Sequence, residues 1–463
     1  MKKLLEPPAS NRERAWQIMR AALNAVEPGA AVARHLQLVA SRLTIGDPHG
    51  IQQAYDLNDF DRVLVVGGGK AGAPMAATVA EILGPRLAGG VVIVKHGHGL
   101  NDAAGGGPIE IVEAGHPVPD DAGQQGAGRI ISLLRNTTSR DLVLCLISGG
   151  GSALMTAPMP GISLADLQSL TQILLGCGAT INEINTIRKH ISQLKGGQLA
   201  QLASPAPVVS LILSDVVGDP LEVIASGPTV PDPTNFDDAW SILVRYKIVD
   251  DVPASIMSHL SAGIEGGIPD TPKPGNPIFG QVRNFIIGSN RLAAAAAAQE
   301  AQLLGFDTIL LTTFLEGEAR EVGKVMAGLA KGLAREETMH PAGQPLSGPT
   351  CLILGGETTV TLRGNGKGGR NQEMALAAAL SLENWQGVLI ANLATDGTDG
   401  PTDAAGAYAD GHTIARATRL GLDAKDHLER NDSYHFFKKL GDLIVTGPTK
   451  TNVNDLALIF VSD

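Results

Sequence analysis

The chain has 463 residues, more than one hydrophobic core usually serves, so two α/β domains are the first expectation. A formal charge of -11 with only 3% aromatic residues excludes a nucleic-acid binder built on a basic stripe with stacking side chains, and any anionic ligand has to be drawn in by local cations. Neither a signal-peptide core in Met1–Pro8 nor an apolar run of membrane-spanning length is present, and Cys145, Cys177 and Cys351 read as reduced packing residues, which together point to a soluble cytoplasmic protein without membrane partners.

From Arg12 to Leu43 apolar residues recur at helical spacing and predict a helical prelude. Asp61–Val66 is then a short, almost wholly apolar run ending at glycines, as a strand covered on both faces does, and similar runs follow at Val91–Val94, Ile109–Val112, Leu142–Ile147 and Val208–Leu213. Helix-like segments between most of them make this a βαβ alternation, hence a doubly wound, Rossmann-like parallel sheet. Periodicity is lost in the Gly- and Pro-rich stretch Ser261–Asn284. The division expected is therefore an N-terminal domain over 1–265, a linker over 266–283 and a C-terminal α/β domain over 284–463. In the last, strands are expected at Phe285–Ile287, Thr308–Leu311, Leu352–Leu354, Val388–Leu393, Leu443–Val445 and Leu456–Val461. The alanine-rich Arg291–Leu304 is expected as a helix capped by Ser289 or Asn290, and Lys331–Ser347 as an exposed loop.

Five loops at strand ends carry chemistry. Gly67-Gly68-Gly69-Lys70-Ala71-Gly72 satisfies G-x-G-x-x-G, but the next strand ends in Lys95-His96 where a dinucleotide site needs an acid for the ribose, so Lys70 is assigned to a phosphate or carboxylate instead. Ser148-Gly149-Gly150-Gly151-Ser152 can converge backbone N–H groups and two hydroxyls on an anion. Asp215, leaving a strand at its carboxyl end, is placed to accept a proton or hold a metal through water. In the second domain Glu357 follows a strand and two glycines, and Gly364–Glu373 combines low bulk, two cations and a helix start, the makings of a polyanion loop around Arg370. Thr395–Asp403 offers Asp396 and Asp399 as hard oxygen ligands for Mg²⁺. No Walker A sequence and no H-R-D with D-F-G occurs, which excludes a P-loop NTPase and an ordinary protein kinase. His96, His98 and His116 lack zinc-site spacing.

Gly67–Gly72, Ser148–Ser152, Asp215–Pro220 with Ser226–Thr229, Gly364–Glu373, Thr395–Asp403 and Thr446–Asp455, in order along nearly the whole chain, resemble the class II glycerate 2-kinase family, whose C-terminal half is the MOFRL domain. The resemblance implies ATP-dependent phosphorylation of D-glycerate to 2-phosphoglycerate with Mg²⁺ or another divalent cation, in a cleft between two α/β domains. It implies Lys70 and Arg370 as active-site cations, and the strand-end position of Asp215 marks it as a catalytic candidate. Substrate or nucleotide contacts are expected from Gly68, Gly69, Ser148–Ser152, Asn290, Glu357, Asn371 and Asn454. Arg370 can grip either the glycerate carboxylate or the transferring phosphoryl group, and the sequence does not choose. The alternatives are an NAD(P)H-dependent hydroxypyruvate reductase, a label some family members carry, and a non-catalytic phosphosugar-binding regulator. Homo-oligomerisation is compatible with each.

Overall fold

A computed structural model describes residues 10–47, 50–99, 107–335 and 348–462, and the chain divides into two units, Pro28–Ile287 and Met1–Glu27 with Gly288–Asp463. The reading of Met1–Pro8 lies outside the described residues. The first unit begins with the helix Pro28–His35, followed by a three-stranded antiparallel sheet, β1 (Leu36–Val39), β2 (Arg42–Gly46) and β3 (Gln52–Asp56), so the helical prelude stops at His35 rather than Leu43. Its main sheet holds β4 (Arg62–Gly68), β5 (Leu87–Lys95), β6 (Ile109–Ala114), β7 (Asp141–Ile147), β8 (Val208–Leu213) and β9 (Val282–Gly288), in the order β6-β5-β4-β7-β8-β9. From β6 to β8 every neighbouring pair is parallel.

Numbered within the sheet, that order is 3-2-1-4-5-6, the arrangement of a doubly wound dinucleotide-type fold. The strands form where the apolar runs lie because both faces are covered, and every residue of β7 and β8 is buried. Register at the base of the sheet is pinned by Arg62, whose Nε and Nη2 donate to the Asp141 carboxylate at 2.7 and 2.8 Å. Helices start on side-chain caps where the sequence supplies them, with capping boxes at Ser163/Asp166 and Thr180/Glu183.

The second unit has a mixed sheet of β10 (Asp307–Leu315), β11 (Thr350–Gly356), β12 (Val388–Ala394), β13 (Gly406–Asp410), β14 (Leu443–Ile444) and β15 (Asp455–Val461), in the order β10-β11-β15-β12-β13-β14. Antiparallel β15 lies between β11 and β12, so the carboxyl ends of those two strands flank the start of β15, with Asp455 opposite both Gly356 and Ala394. The alanine-rich helix runs Asn290–Leu303 with Ser289 as its cap, as expected.

Two boundaries move. Helix Asn11–Ala25 belongs to the second unit, because it packs along Asn290–Leu303, Arg12 bonds Asp442 at 2.6 Å and Asp410 at 3.1 Å, and the Thr451 hydroxyl donates to the Val26 carbonyl at 2.7 Å. The Gly/Pro-rich stretch is no free linker. Asp232 N–H donates to the Pro272 carbonyl, the Thr271 hydroxyl to Asp232 at 3.0 Å, and His190 Nε2 meets Asp270 at 3.0 Å, which fastens 266–283 to the first unit. Beyond it, the strand expected at Phe285–Ile287 is the sixth of the first sheet rather than the first of the second. Lys331 through Ala334 continue the helix Ala319–Ala334, and 336–347 of the expected exposed loop lie outside the described residues.

Candidate active site

In the first unit the strand order reverses between β4 and β7, and the loops that follow those two strands are Gly69–Ala71 and Ser148–Gly150. A doubly wound sheet leaves its ligand crevice at this point because the helices after the two strands depart on opposite faces. The loops are stitched together. Lys70 N–H donates to the Gly149 carbonyl at 2.8 Å, Ala71 N–H to Ser148 Oγ at 3.0 Å, and Gly69 N–H to the Ile93 carbonyl at 2.9 Å. Ser148 Oγ thus helps join the loops as an acceptor.

Glycine is required here for space as much as for conformation. Gly69 has φ +146°, and an added Cβ would fall 2.1 Å from Ser148 Oγ. At Gly149 the Cβ would meet an Asp215 oxygen at 2.2 Å, and at Gly150 (φ +83°) the His116 ring at 2.9 Å and Lys70 Cγ at 3.5 Å. His116 and Lys70 thus lie against Gly150, and Asp215 against the adjacent Gly149. The backbone carbonyl of Lys70 is held by His98 Nδ1 at 2.9 Å. Burial, reinforced by the charges of Lys70, Lys95 and His98, pushes the His116 pKa down to about 4 and keeps the imidazole neutral. Ser152 Oγ lies 2.8 Å from Ser226 Oγ, which in turn donates to Asn185 Oδ1 at 2.9 Å.

The second unit gathers Arg370, Glu357, Asn454, Asn290 and Asp455 at the carboxyl ends of β11 and β12. Arg370 opens the helix Arg370–Ser381 and bonds Asp455 through Nε at 2.5 Å and Nη2 at 3.1 Å, while Nη1 reaches Glu357 Oε1 at 2.5 Å. Glu357 Oε2 accepts from Asn454 Nδ2 at 2.7 Å, and Asn290 Nδ2 donates to the Val453 and Asp455 carbonyls at 2.9 and 2.8 Å. Burial works against the Arg370 cation, but Asp455 and Glu357 more than offset it and hold its pKa above the usual value. Burial pushes Asp455 up to about 7 while Arg370 pulls it down. The guanidinium fork expected to be open for substrate is filled by two carboxylates of the chain itself.

Asp399 departs further from expectation. Oδ1 accepts from the N–H and Nδ2 of Asn371 at 3.0 and 3.3 Å, and Oδ2 from the N–H and Nε2 of Gln372 at 2.9 and 3.0 Å. The anion at the N-terminus of this helix is therefore Asp399, which supplies the cap that Gly369 lacks. Gly364 and Gly366 are small because they lie on Arg430 and Asp432, and the Lys367 ammonium sits 4.5 Å from the centroid of the Tyr434 ring. The loop expected to wrap a polyanion is packed on its own protein. Asp396 Oδ1 accepts from the N–H and hydroxyl of Thr398 at 3.0 and 3.2 Å, a local Asx turn. With Asp399 saturated the pair does not fit a metal seat, and among the described residues no three His, Cys, Asp or Glu gather as one.

His116, Asn185 and Asp455 were not among the candidate site residues, and Ser226 entered only as part of a motif. The signal for Asp455 was its place at the end of the Thr446–Asp455 motif, next to Asn454. His116 lacks zinc-site spacing, and nothing local in sequence ties it to Gly150.

The model described as "Domain of unknown function (DUF4147)" matches residues 14–261, and that of the MOFRL family matches 350–455. A glycerate 2-kinase of Pyrococcus horikoshii is 42% identical over 452 residues, covering 97% of each chain. The chain belongs to the class II glycerate 2-kinase family. Another member of the glycerate 2-kinase family, the crystal structure of glycerate kinase from Thermotoga maritima, aligns with a TM-score of 0.83 at 40% identity, covering 97% of this chain and 99% of that one. A relative from Agrobacterium vitis, 44% identical over 402 residues and covering 86% of this chain and 87% of its own, carries a hydroxypyruvate reductase name.

Proposed function

We propose that the protein is a glycerate 2-kinase that moves the γ-phosphoryl group of ATP to the 2-hydroxyl of D-glycerate, giving 2-phosphoglycerate and ADP. The observation that carries this is the meeting of the two glycine loops at the sheet's switch point, with Lys70 and His116 against Gly150 and Asp215 against the adjacent Gly149. Phosphoryl transfer asks little covalent help of the protein; it asks for alignment and for charge stabilisation around the transferring group. Lys70 supplies the cation at the phosphates. Asp215, at the carboxyl end of β8, accepts the proton of the attacking hydroxyl. His116, kept neutral, offers a hydrogen bond without adding charge. Arg370 holds Glu357 and Asp455 in place and, through Glu357, Asn454.

A divalent cation would enter on the nucleotide's phosphate oxygens, as Mg²⁺ commonly does. Asp396 is the carboxylate of the acidic turn that is not saturated by helix donors. A cytoplasmic location accords with the free Cys145, Cys177 and Cys351.

The reductase is the second reading, favoured by the glycine spacing of Gly67–Gly72 on a 3-2-1-4-5-6 sheet. Against it, β5 ends in Lys95, followed by His96, where a ribose-binding acid belongs. ADP formation with D-glycerate and NAD(P)H oxidation with hydroxypyruvate, measured on one preparation, separate the two: the first is expected and the second is not.

A further inference from the structure

A narrow pocket with about 40 Å³ of free interior opens beside Ser152 within the first unit, and Arg188 and Lys195 line it together with Thr156, Thr171 and Ser192. Lys195 is only 7% exposed, and its Nζ donates to the Met155 carbonyl at 3.2 Å. Arg188 Nη2 reaches Thr171 Oγ1 at 3.5 Å, the outer limit of a hydrogen bond. Among the described residues neither cation forms an ion pair, whereas the neighbouring Lys189 is paired with Asp232 at 3.3 Å. Two cations thus share one interior pocket with no anion. Burial lowers the pKa of both, and the Arg188 charge adds to the effect on Lys195, which falls to about 7.

A buried charge normally has a counter-charge, and a fold that leaves two like charges without one is poised for an anion from outside. Arg370 presents the opposite case, since Asp455 and Glu357 already neutralise it. We propose that the Arg188–Lys195 pocket seats the carboxylate of the hydroxy-acid substrate, a placement that rests on the glycerate kinase reading and deepens it. Arg188 takes the carboxylate as a planar fork, and Lys195 adds a point charge. Ser152 lines this pocket and lies two residues after Gly150, which packs against Lys70, so an acid anchored on the two cations lies next to the phosphate loops.

Steady-state kinetics of Arg188→Gln and Lys195→Met test the seat. The KM for D-glycerate should rise on the order of 10- to 100-fold, as expected for the loss of a charged hydrogen-bond donor, with the KM for ATP within about twofold. Preference for D-glycerate over its neutral carboxamide should collapse in parallel. Removing one of two repelling buried charges should also raise the thermal midpoint of ligand-free Lys195→Met, whereas a purely structural lysine would lower it. Arg188→Lys, which keeps charge and most of the bulk, replaces the glutamine variant if that one fails to fold, and should still show a raised glycerate KM. An unchanged glycerate KM in active variants, or a rise confined to ATP, overturns the proposal while leaving the kinase reading intact. If the wild type turns over no glycerate, the kinase reading is what fails, and calorimetric titration with D-glycerate alone decides the seat. Binding by the wild type that Arg188→Gln abolishes supports it, and no binding by the wild type overturns it.

Discussion

Asp399→Asn replaces a buried carboxylate that receives four hydrogen bonds at the start of the helix Arg370–Ser381. The amide keeps one acceptor oxygen and turns an NH₂ group toward N–H donors, so one pair of donors, either those of Asn371 or those of Gln372, is left facing a donor in a site that is 2% exposed. Hydrogen bonds to a charged acceptor are worth about 1.5–3 kcal/mol each, and cap loss alone costs about 1 kcal/mol. Against this, burial already raises the Asp399 pKa, so removing the charge recovers part of the loss. The net expectation is destabilisation by about 3 kcal/mol, a fall of about 6–12 °C in thermal midpoint for a unit of roughly 200 residues. Thermal unfolding of ligand-free protein followed by circular dichroism, with Mg²⁺ titrated in parallel, measures both effects. An unchanged midpoint combined with a weakened metal dependence would show that Asp399 is a metal ligand and not the helix anchor described above.

Arg370→Lys keeps the charge but loses the fork that joins Asp455 to Glu357; kcat/KM for glycerate should fall on the order of 10²-fold, about 2.7 kcal/mol, and near-native turnover in a folded variant would remove Arg370 from the site. The depressed pKa of His116 links stability to pH. Between about 6.5 and about 4 the unfolded chain binds a proton that the fold does not, so this contribution is complete above pH 6.5 and is lost as pH falls towards 4. His116→Gln should flatten that slope in urea midpoints measured from pH 4 to 8, and parallel curves for the two proteins would show that His116 does not titrate as described.

The first sheet was legible because strands buried on both faces leave continuous apolar runs, and its five expected strands are all present. What sequence could not show was partnership. β13 carries Gly406 and two alanines and has no strand-like apolar run, β1 to β3 follow directly on a helical pattern, and β9 looks no different whether it closes one sheet or opens the next. The candidate site divides in the same way. Lys70 and the Ser148–Ser152 loop stood out because glycine clusters at strand ends are local signals. The partners of Asp399 and Arg370 were not legible because what occupies a carboxylate or a guanidinium is decided by residues 13 to 85 positions away. Arg188 and Lys195 gave no signal at all, since a lysine or arginine near a helix end is usually solvated.

The central claim is tested most directly by incubating the protein and its Lys70→Ala variant with ATP, Mg²⁺ and D-glycerate, and following products by ³¹P and ¹³C NMR. The account predicts stoichiometric ADP and a phosphate on the 2-hydroxyl from the wild type, with turnover lowered on the order of 10²-fold or more in the variant because charge stabilisation at the phosphates is lost. Absence of ATP consumption alongside NAD(P)H-dependent reduction of hydroxypyruvate would contradict it.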